Sequence, residues 1–445
     1  MSELLRWEEC LEKIQALAFR DPEVIEAVQW SRLREHLRYV GEHSPYYREV
    51  FRNAGITPDA VTCLDDFQRL PLTRKEDLAR GAEQFLAVSE EEVRDVCQTS
   101  GTTGEPVCLY QTGSDLERLG LNEALAFGGG GVTAADRMLI VCAMDRSFMA
   151  GLAYFLGAQR IGATALRTGS SSLAHVIQTL KLCPPTVMVG VPGMLIALAE
   201  RCLDQGLRPA ELGIRKIFCI GEPIRNDDFS LNLSGQRLQE LWGCELFATY
   251  ASTEMATTFC ECERGCGGHL QPWLMVLELV DEDGNVLNED GAVGEVVATP
   301  LGVRGMPLVR FATGDIARLH LKPCACGRRT PRLGPILGRK QQMLKVRGCS
   351  FYPPAVATAL QELPGVGLWY LEVRDAVDHD GDQVTLVLAE SPDLPAPDAI
   401  QAHIAGRIRV RLDIGIRPAL EVQKRVHDPA YRKPRTWFDF RQRSC

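Results

Sequence analysis

The 445-residue sequence has no apolar run of the roughly 18 residues that a membrane-crossing helix needs, and no long basic stretch. The first absence argues against a membrane protein. The second, with a formal net charge of −9, argues against a nucleic-acid partner, and it means that an anionic small substrate has to be met by local positive charge. Met1 to Ala16 alternates charged and apolar residues at helical spacing, without the basic start and apolar centre of a secretory signal. There is no internal repeat, and low complexity is confined to the proline-rich 391–397 stretch. The phosphate-binding pattern GxxxxGK[ST] is missing as well. Core-forming residues are not scarce: 45% of the chain is apolar and 24% charged, enough for two or more globular domains. Sixteen cysteines are present, and several stand singly (Cys10, Cys63, Cys142, Cys183, Cys219). That distribution suits buried small hydrophobes in a reducing cytoplasm.

The most informative stretch is Gln98 to Pro106, QTSGTTGEP, which sets four hydroxyl residues and two glycines between an acidic run, Ser89 to Asp95, expected to be helical, and the apolar Val107 to Tyr110. Glycine lets a backbone approach a ligand closely and adopt positive φ, so this composition suits a hairpin-like loop whose N–H groups and hydroxyls wrap a polyphosphate. A solvated turn is the competing reading.

The rest of the chain supplies an α/β frame. Amphipathic helices are expected across residues 3 to 52, and a helix after Pro71 with Thr73 as its N-cap. Beyond the glycine loop, a helix over 114–127 precedes short apolar strands at 137–143, 186–190 and 216–220, alternating with helices at 149–157, 173–182 and 192–205. Such alternation argues for α/β layers around a mainly parallel sheet. Residues 274–320 read instead as an antiparallel, strand-rich subdomain turning at Asp281 to Asn285. From 339 onward a small α+β unit is expected, with strands at 368–374 and 383–389 and helices at 353–363 and 396–412. The predicted division is therefore an N-terminal domain over 1–338 and a mobile C-terminal domain over 339–445.

Five stretches in fixed order carry chemistry: QTSGTTGEP at 98, IGEPIR at 220, YASTE at 250, RFATGD at 310 and GRKQQMLKVRG at 338. Together they resemble the adenylate-forming superfamily of acyl-CoA synthetases, and within it the phenylacetate-CoA ligase family. The resemblance spans nearly the whole chain, including HSPYYREVF and DDFQRLPLTRKEDL near the N-terminus. It implies an ATP- and Mg²⁺-dependent acid–thiol ligase that makes an acyl-adenylate from an aryl carboxylic acid and passes the acyl group to CoA. Joining two anions requires charge neutralisation and in-line positioning. The resemblance assigns Thr99, Ser100, Gly101, Thr102, Thr103 and Gly104 to the β- and γ-phosphates, Thr253 to the α-phosphate and Glu254 to Mg²⁺. In the same resemblance Gly221, Glu222, Pro223 and Tyr250 would bracket the adenine, Asp315 would take the ribose hydroxyls, and Arg339, two residues before the hinge position, would join them in binding the nucleotide. Lys433 is the catalytic lysine implied by aligning the tail, with Lys424 its rival. The acyl pocket falls on Asp145, Arg146, Phe148, Met149 and Gly151.

The sequence also departs from the family. Glu105 stands where a lysine is usual, and Gln341 where the hinge has aspartate. An acceptor other than CoA, namely a pantetheine carrier or an amine, stays open for that reason, as does a degenerate non-catalytic homologue. The sequence names neither the acid nor the oligomeric state, a homodimer being one option.

Cysteine and histidine cluster twice, at Cys260, Cys262, Cys266 and His269 and again at Cys324 and Cys326. Soft and borderline ligands in two knuckle-like groups indicate structural Zn²⁺. The resemblance selects Cys262, His269, Cys324 and Cys326, with Cys260 and Cys266 then spare, or one of them replacing His269.

Overall fold

The computed structural model describes residues 11–99, 107–145, 147–169, 172–346, 349–376, 381–428 and 435–441. The chain forms two compact units, residues 1–313 with 317–336, and residues 314–316 with 337–445.

In the first unit five strands run parallel in the order Thr164–Arg167, Arg137–Val141, Val187–Gly190, Lys216–Cys219 and Glu245–Ser252. Successive side chains of a strand point to opposite faces, and both faces here are apolar. Met138 and Ile140 pack under the helices Gly113–Gly129 and Met149–Ile161. Leu139 and Val141 pack under Leu173–Leu182, Pro192–Asp204 and Leu233–Trp242. Helices on both faces are what a parallel sheet needs, since each crossover has to return over it. The sheet continues through Thr257–Cys260 into short antiparallel strands, and Met275–Val280 pairs with Val293–Pro300 as the 274–320 pattern predicts. Among the described residues no helix is long and apolar enough to cross a membrane.

The second unit has a four-stranded sheet, Asp413–Arg417, Asp382–Ala389, Trp369–Asp375 and Trp437–Asp439. Helices Pro353–Gln361 and Pro397–Ile408 contribute to its main core, and Ala419–Val426 packs with Tyr370, Val387 and Phe438 in a smaller one. Arg441 pairs with Asp382 at 2.9 Å and Asp439 at 2.6 Å, tying the C-terminal strand down.

Three local expectations fail. Ser89 to Asp95 is a single 3₁₀ turn, Glu90–Glu92, that leads into a strand, Val93–Gln98, because β-branched Val93 and Val96 win once they can pair with Cys108–Thr112. Thr73 is not a cap: its buried hydroxyl donates to Val309 O at 2.7 Å, while the helix Lys75–Gly81 starts with Asp77 accepting from Arg74 N at 2.8 Å. The 396–412 helix stops at Ile408, where Arg409 takes a left-handed φ of 59°, and Asp413–Arg417 becomes an edge strand.

The Gly113–Gly129 helix carries an acid in the core. Glu123 Oε1 accepts from Thr258 Oγ1 at 2.7 Å and Asn122 Nδ2 at 2.9 Å, while Oε2 has no hydrogen-bond partner among the described residues. Burial pushes its pKa up to about 7, beyond what the two hydrogen bonds pull back. A folded pKa above the unfolded one adds stability at low pH that is lost as pH rises toward 7. Melting temperature should therefore fall more steeply for the native chain than for Glu123→Gln between about pH 5 and about pH 8; parallel curves would mean that the acid is not buried as drawn.

Candidate active site

The C-terminal ends of the parallel strands deliver the predicted residues to one edge of the first unit, the edge at which open α/β sheets bind ligands. Strand Arg137–Val141 leads to Asp145, Phe148 and Met149, Lys216–Cys219 to Gly221–Pro223, and Glu245–Ser252 ends in Tyr250, Thr253 and Glu254.

Each segment is held locally. Gly221 has φ +71°, and Glu222 Oε2 accepts from Gly193 N at 3.0 Å, a carboxylate on the N-terminus of helix Pro192–Asp204. Asn232 Nδ2 donates to Pro223 O at 2.9 Å. Tyr250 lies over Phe259 with ring centroids 6.1 Å apart, and its hydroxyl donates to Thr313 Oγ1 at 3.4 Å. In the turn after Ser252, Met255 N donates to Ser252 Oγ at 3.2 Å. Glu254, 9% exposed, faces Lys75 Nζ at 3.7 Å.

Lys75 is the residue that sequence reasoning missed. It stands within DDFQRLPLTRKEDL, but at the first position of a helix, where a lysine reads as solvated charge. Its pairing across about 180 positions leaves no local signal.

Of the glycine loop, the structure describes its base. Strands Val93–Gln98 and Cys108–Thr112 form the hairpin, and Thr99 closes it: Thr99 N donates to Val107 O, and Thr99 Oγ1 accepts from Val107 N, both at 3.0 Å. Gln98 N donates to Ser147 O at 2.9 Å, which ties this hairpin to the segment expected to line the acyl pocket. Ser100, Gly101, Thr102, Thr103, Gly104 and Arg146 lie outside the described residues, as does Lys433. In the second unit Asp315 and Arg339 are brought together by strand pairing, with Arg339 Nε 3.3 Å from Asp315 Oδ1.

In the acyl segment Asp145 is exposed and Phe148 half-buried, whereas Met149 belongs to the core with Cys97, Cys142 and Tyr154. Gly151 is where the Met149–Ile161 helix crosses the strand end.

The two cysteine groups meet in the first unit. The ligand atoms of Cys262, His269, Cys324 and Cys326 all lie within 4.8 Å of one another. Cys262 Sγ is 3.8 Å from Cys324 Sγ, and Cys326 Sγ 3.6 Å from His269 Nε2. His269 Nδ1 lies 3.3 Å from Thr330 Oγ1, which leaves Nε2 turned to the sulfurs. Cys260 instead enters the hydrophobic core beneath the sheet, and Cys266 stands 3.5 Å from Cys324 with Arg332 donating to it.

A family model described as AMP-binding enzyme matches residues 48–304. The phenylacetate-coenzyme A ligase of Thermus thermophilus is 33% identical over 352 residues, 77% of each chain. The chain belongs to the phenylacetate-coenzyme A ligase family of AMP-binding enzymes. The Escherichia coli ligase is 26% identical over 85% of this chain and 86% of its own. In fold the chain is similar to 2-hydroxyisobutyryl-CoA ligase, with a TM-score of 0.79 at 24% identity, covering 94% of this chain and 90% of that one. As a member of this family the protein is an AMP-forming acid–CoA ligase, activating a carboxylic acid with ATP and forming its CoA thioester.

The acyl edge is testable through its packing. A Cβ on Gly151 would lie 2.3 Å from Ala143 O and 2.8 Å from Met144 Cγ, whereas one on Gly113 meets nothing within 4 Å. Gly151→Ala should cost about 1–3 kcal/mol of stability by overpacking, read as a lower melting temperature, with Gly113→Ala unchanged; equal melting temperatures would show that the helix start is looser than this geometry.

Proposed function

We propose that the acid is aromatic and that the residues at this sheet edge carry its adenylation. The carrying observation is the Ser252–Ala256 turn, which holds Glu254 against Lys75 beside the ends of the strands that bear the adenine and acyl segments. The ligase relatives support an aryl acid, and half-buried Phe148, just beyond strand Arg137–Val141, supports an aromatic contact for it.

A carboxylate oxygen attacks the α-phosphorus of ATP and pyrophosphate leaves; the CoA sulfur then attacks the acyl carbonyl and AMP leaves. The glycine loop holds the β- and γ-phosphates. Thr99 contributes from its base, because a hydroxyl that accepts from Val107 N keeps its own proton to donate. Thr253 contacts the α-phosphate, Gly221–Pro223 and Tyr250 bracket adenine, Asp315 takes the ribose, and Lys433 offsets charge in the first half-reaction. The Glu254 carboxylate, in the turn that follows Ser252, fits a hard cation that arrives with phosphate oxygens. Mg²⁺ bound there supplies charge neutralisation of the transferring phosphate. Lys75 holds the Glu254 carboxylate in place before the nucleotide arrives. The fourteen free cysteines among the described residues support a cytoplasmic setting.

Pyrophosphate release over a panel of aryl and alkyl acids, with and without CoA, tests this reading. Aryl acids should give the highest kcat/KM, thioester should form only with CoA, and Glu254→Gln should lose about 100-fold or more in adenylation. A Glu254→Gln variant at native rate would remove Glu254 from the site.

The cysteine cluster fits structural Zn²⁺. Tetrahedral Zn–S bonds of about 2.3 Å set sulfurs about 3.8 Å apart, and a sulfur and an imidazole nitrogen about 3.6 Å apart, as in the two pairs here. Four protein ligands close the shell, so the ion contributes folding energy. Elemental analysis should find about one zinc per chain, lost with a lowered melting temperature in Cys324→Ser and kept in Cys260→Ser; a zinc-free native chain would end the proposal.

A further inference from the structure

Arg118 is buried in the Gly113–Gly129 helix, 1% exposed. Its Nε donates to Leu301 O at 2.6 Å, Nη1 to Ala256 O at 2.6 Å, and Nη2 to Thr257 Oγ1 at 3.0 Å and to Leu274 O at 2.7 Å. Among the described residues none of its partners is a carboxylate. A guanidinium taken out of water with carbonyl dipoles in place of an ion pair is an expensive device for packing alone, and two of its four bonds end on one short segment. That segment closes the turn that carries Thr253 and Glu254.

Ala256 has a φ of 45°, a left-handed conformation in which its Cβ crowds the following carbonyl and which residues other than glycine rarely keep without outside support. Arg118 supplies that support from the far side of the turn, by holding the Ala256 carbonyl and the Thr257 hydroxyl at once. One helical turn further on, Asn122 continues the seam: Thr258 N donates to Asn122 Oδ1 at 3.1 Å, and Glu123 takes the Thr258 hydroxyl. The seam thus fixes the start of strand Thr257–Cys260, and its Arg118 end fixes the turn.

We infer that Arg118 is a positioning residue for the Glu254 turn, locking Ala256 in the left-handed conformation that aims the Glu254 carboxylate at metal-bound nucleotide. The inference rests on the reading of Glu254 given above. Loss of the lock lets Ala256 relax toward negative φ, which redirects the carboxylate two residues before it. The acyl segment, carried by another strand, stays as it was.

The test uses the full-length enzyme and two readouts: calorimetric titration of Mg²⁺ into protein saturated with ATP and without acid, and pyrophosphate release as a function of Mg²⁺. In Arg118→Lys the Mg²⁺ requirement should rise roughly 10- to 100-fold in both, as for other residues that orient a metal-binding carboxylate, while KM for the acid stays within about twofold. Adding Ala256→Gly should recover part of the loss, because glycine keeps positive φ unaided. Glu123→Gln, which alters the same seam at Thr258 without touching the turn, should keep the native Mg²⁺ requirement. A native requirement in Arg118→Lys, or an equal rise in Glu123→Gln, overturns the inference. If Arg118→Lys does not fold, Thr257→Val, which removes one bond of the hub, should raise the requirement in the same direction, and a native value there overturns it instead. Failure of the parent reading looks different: Glu254→Gln would itself bind and use Mg²⁺ normally.

Discussion

Strand Glu245–Ser252 has to satisfy two kinds of sheet at once. Its first half, Glu245 to Ala248, pairs parallel with Lys216–Cys219, and its second half, Thr249 to Ser252, pairs antiparallel with Thr257–Cys260. Parallel pairing keeps the strand under helices on both faces, whereas antiparallel pairing turns the chain back within four residues, Thr253 to Ala256. The chemistry-bearing turn therefore stands where the buried sheet changes type and where regular hydrogen bonding is interrupted. Backbone groups released there have to be satisfied by side chains, which accounts for polar residues reaching in from the Gly113–Gly129 helix. From that interruption the Gly221–Pro223 segment is one strand away and the segment of Asp145 to Gly151 two strands further out.

The α/β layering was legible because short apolar strands and amphipathic helices have different periods, and three of the ordered motifs fall at the C-terminal edge of the sheet. Function and architecture are mixed within those motifs, however. Arg310 of RFATGD makes a buried pair with Glu278, with Nε and Nη2 each 3.1 Å from a carboxylate oxygen, and donates to Leu70 O. Thr73 of PLTRKEDL likewise bonds Val309 O and Tyr47 Oη, joining the N-terminal helices to the strand-rich region. What the sequence concealed were long-range polar contacts and unassisted left-handed residues. Arg409 ends a helix without the glycine that usually announces such an end, so the apolar spacing of Val410 and Leu412 ran on into a false helical turn. Arg118 sits within a helical pattern and reads as one more exposed charge, since its acceptors are 138 or more positions away.

The cysteine corner shows the same dependence on distant partners. Strand Gly268–His269 is two residues long and lies between Thr257–Cys260 and Arg332–Leu333. Two residues cannot hold a strand in register on their own pairing. Register comes from what flanks it: a Cβ on Gly268 would meet Phe259 atoms at 2.8 Å, and His269 is directed toward Cys326. Arg328 and Arg332 donate to Cys326 and Cys266 sulfurs at 3.3 and 3.1 Å. Because the Thr257–Cys260 strand is shared, order at this corner and order at the Glu254 turn are properties of one strand.

Charge is the remaining constraint. A chain with a formal net charge of −9 meets a polyphosphate and a carboxylate only where cations are assembled locally, because a potential of the wrong sign otherwise slows their approach. Glu105 in the glycine loop makes that harder, since it replaces a positive charge with a negative one. Lys75 works in the other direction: 3.7 Å from Glu254 and 29% exposed, it reaches the turn from the N-terminal helical region without belonging to the loop. Its two duties are compatible, because a lysine is a compact point charge on a flexible stem. On the reading proposed above it would neutralise Glu254 before nucleotide arrives, and a cation that took that acid over would leave the same ammonium beside the incoming phosphates. A lysine on the glycine loop would serve only the second state. The charge missing from the loop is thus matched by one on an element that the Thr73 and Arg310 contacts hold rigidly against the sheet.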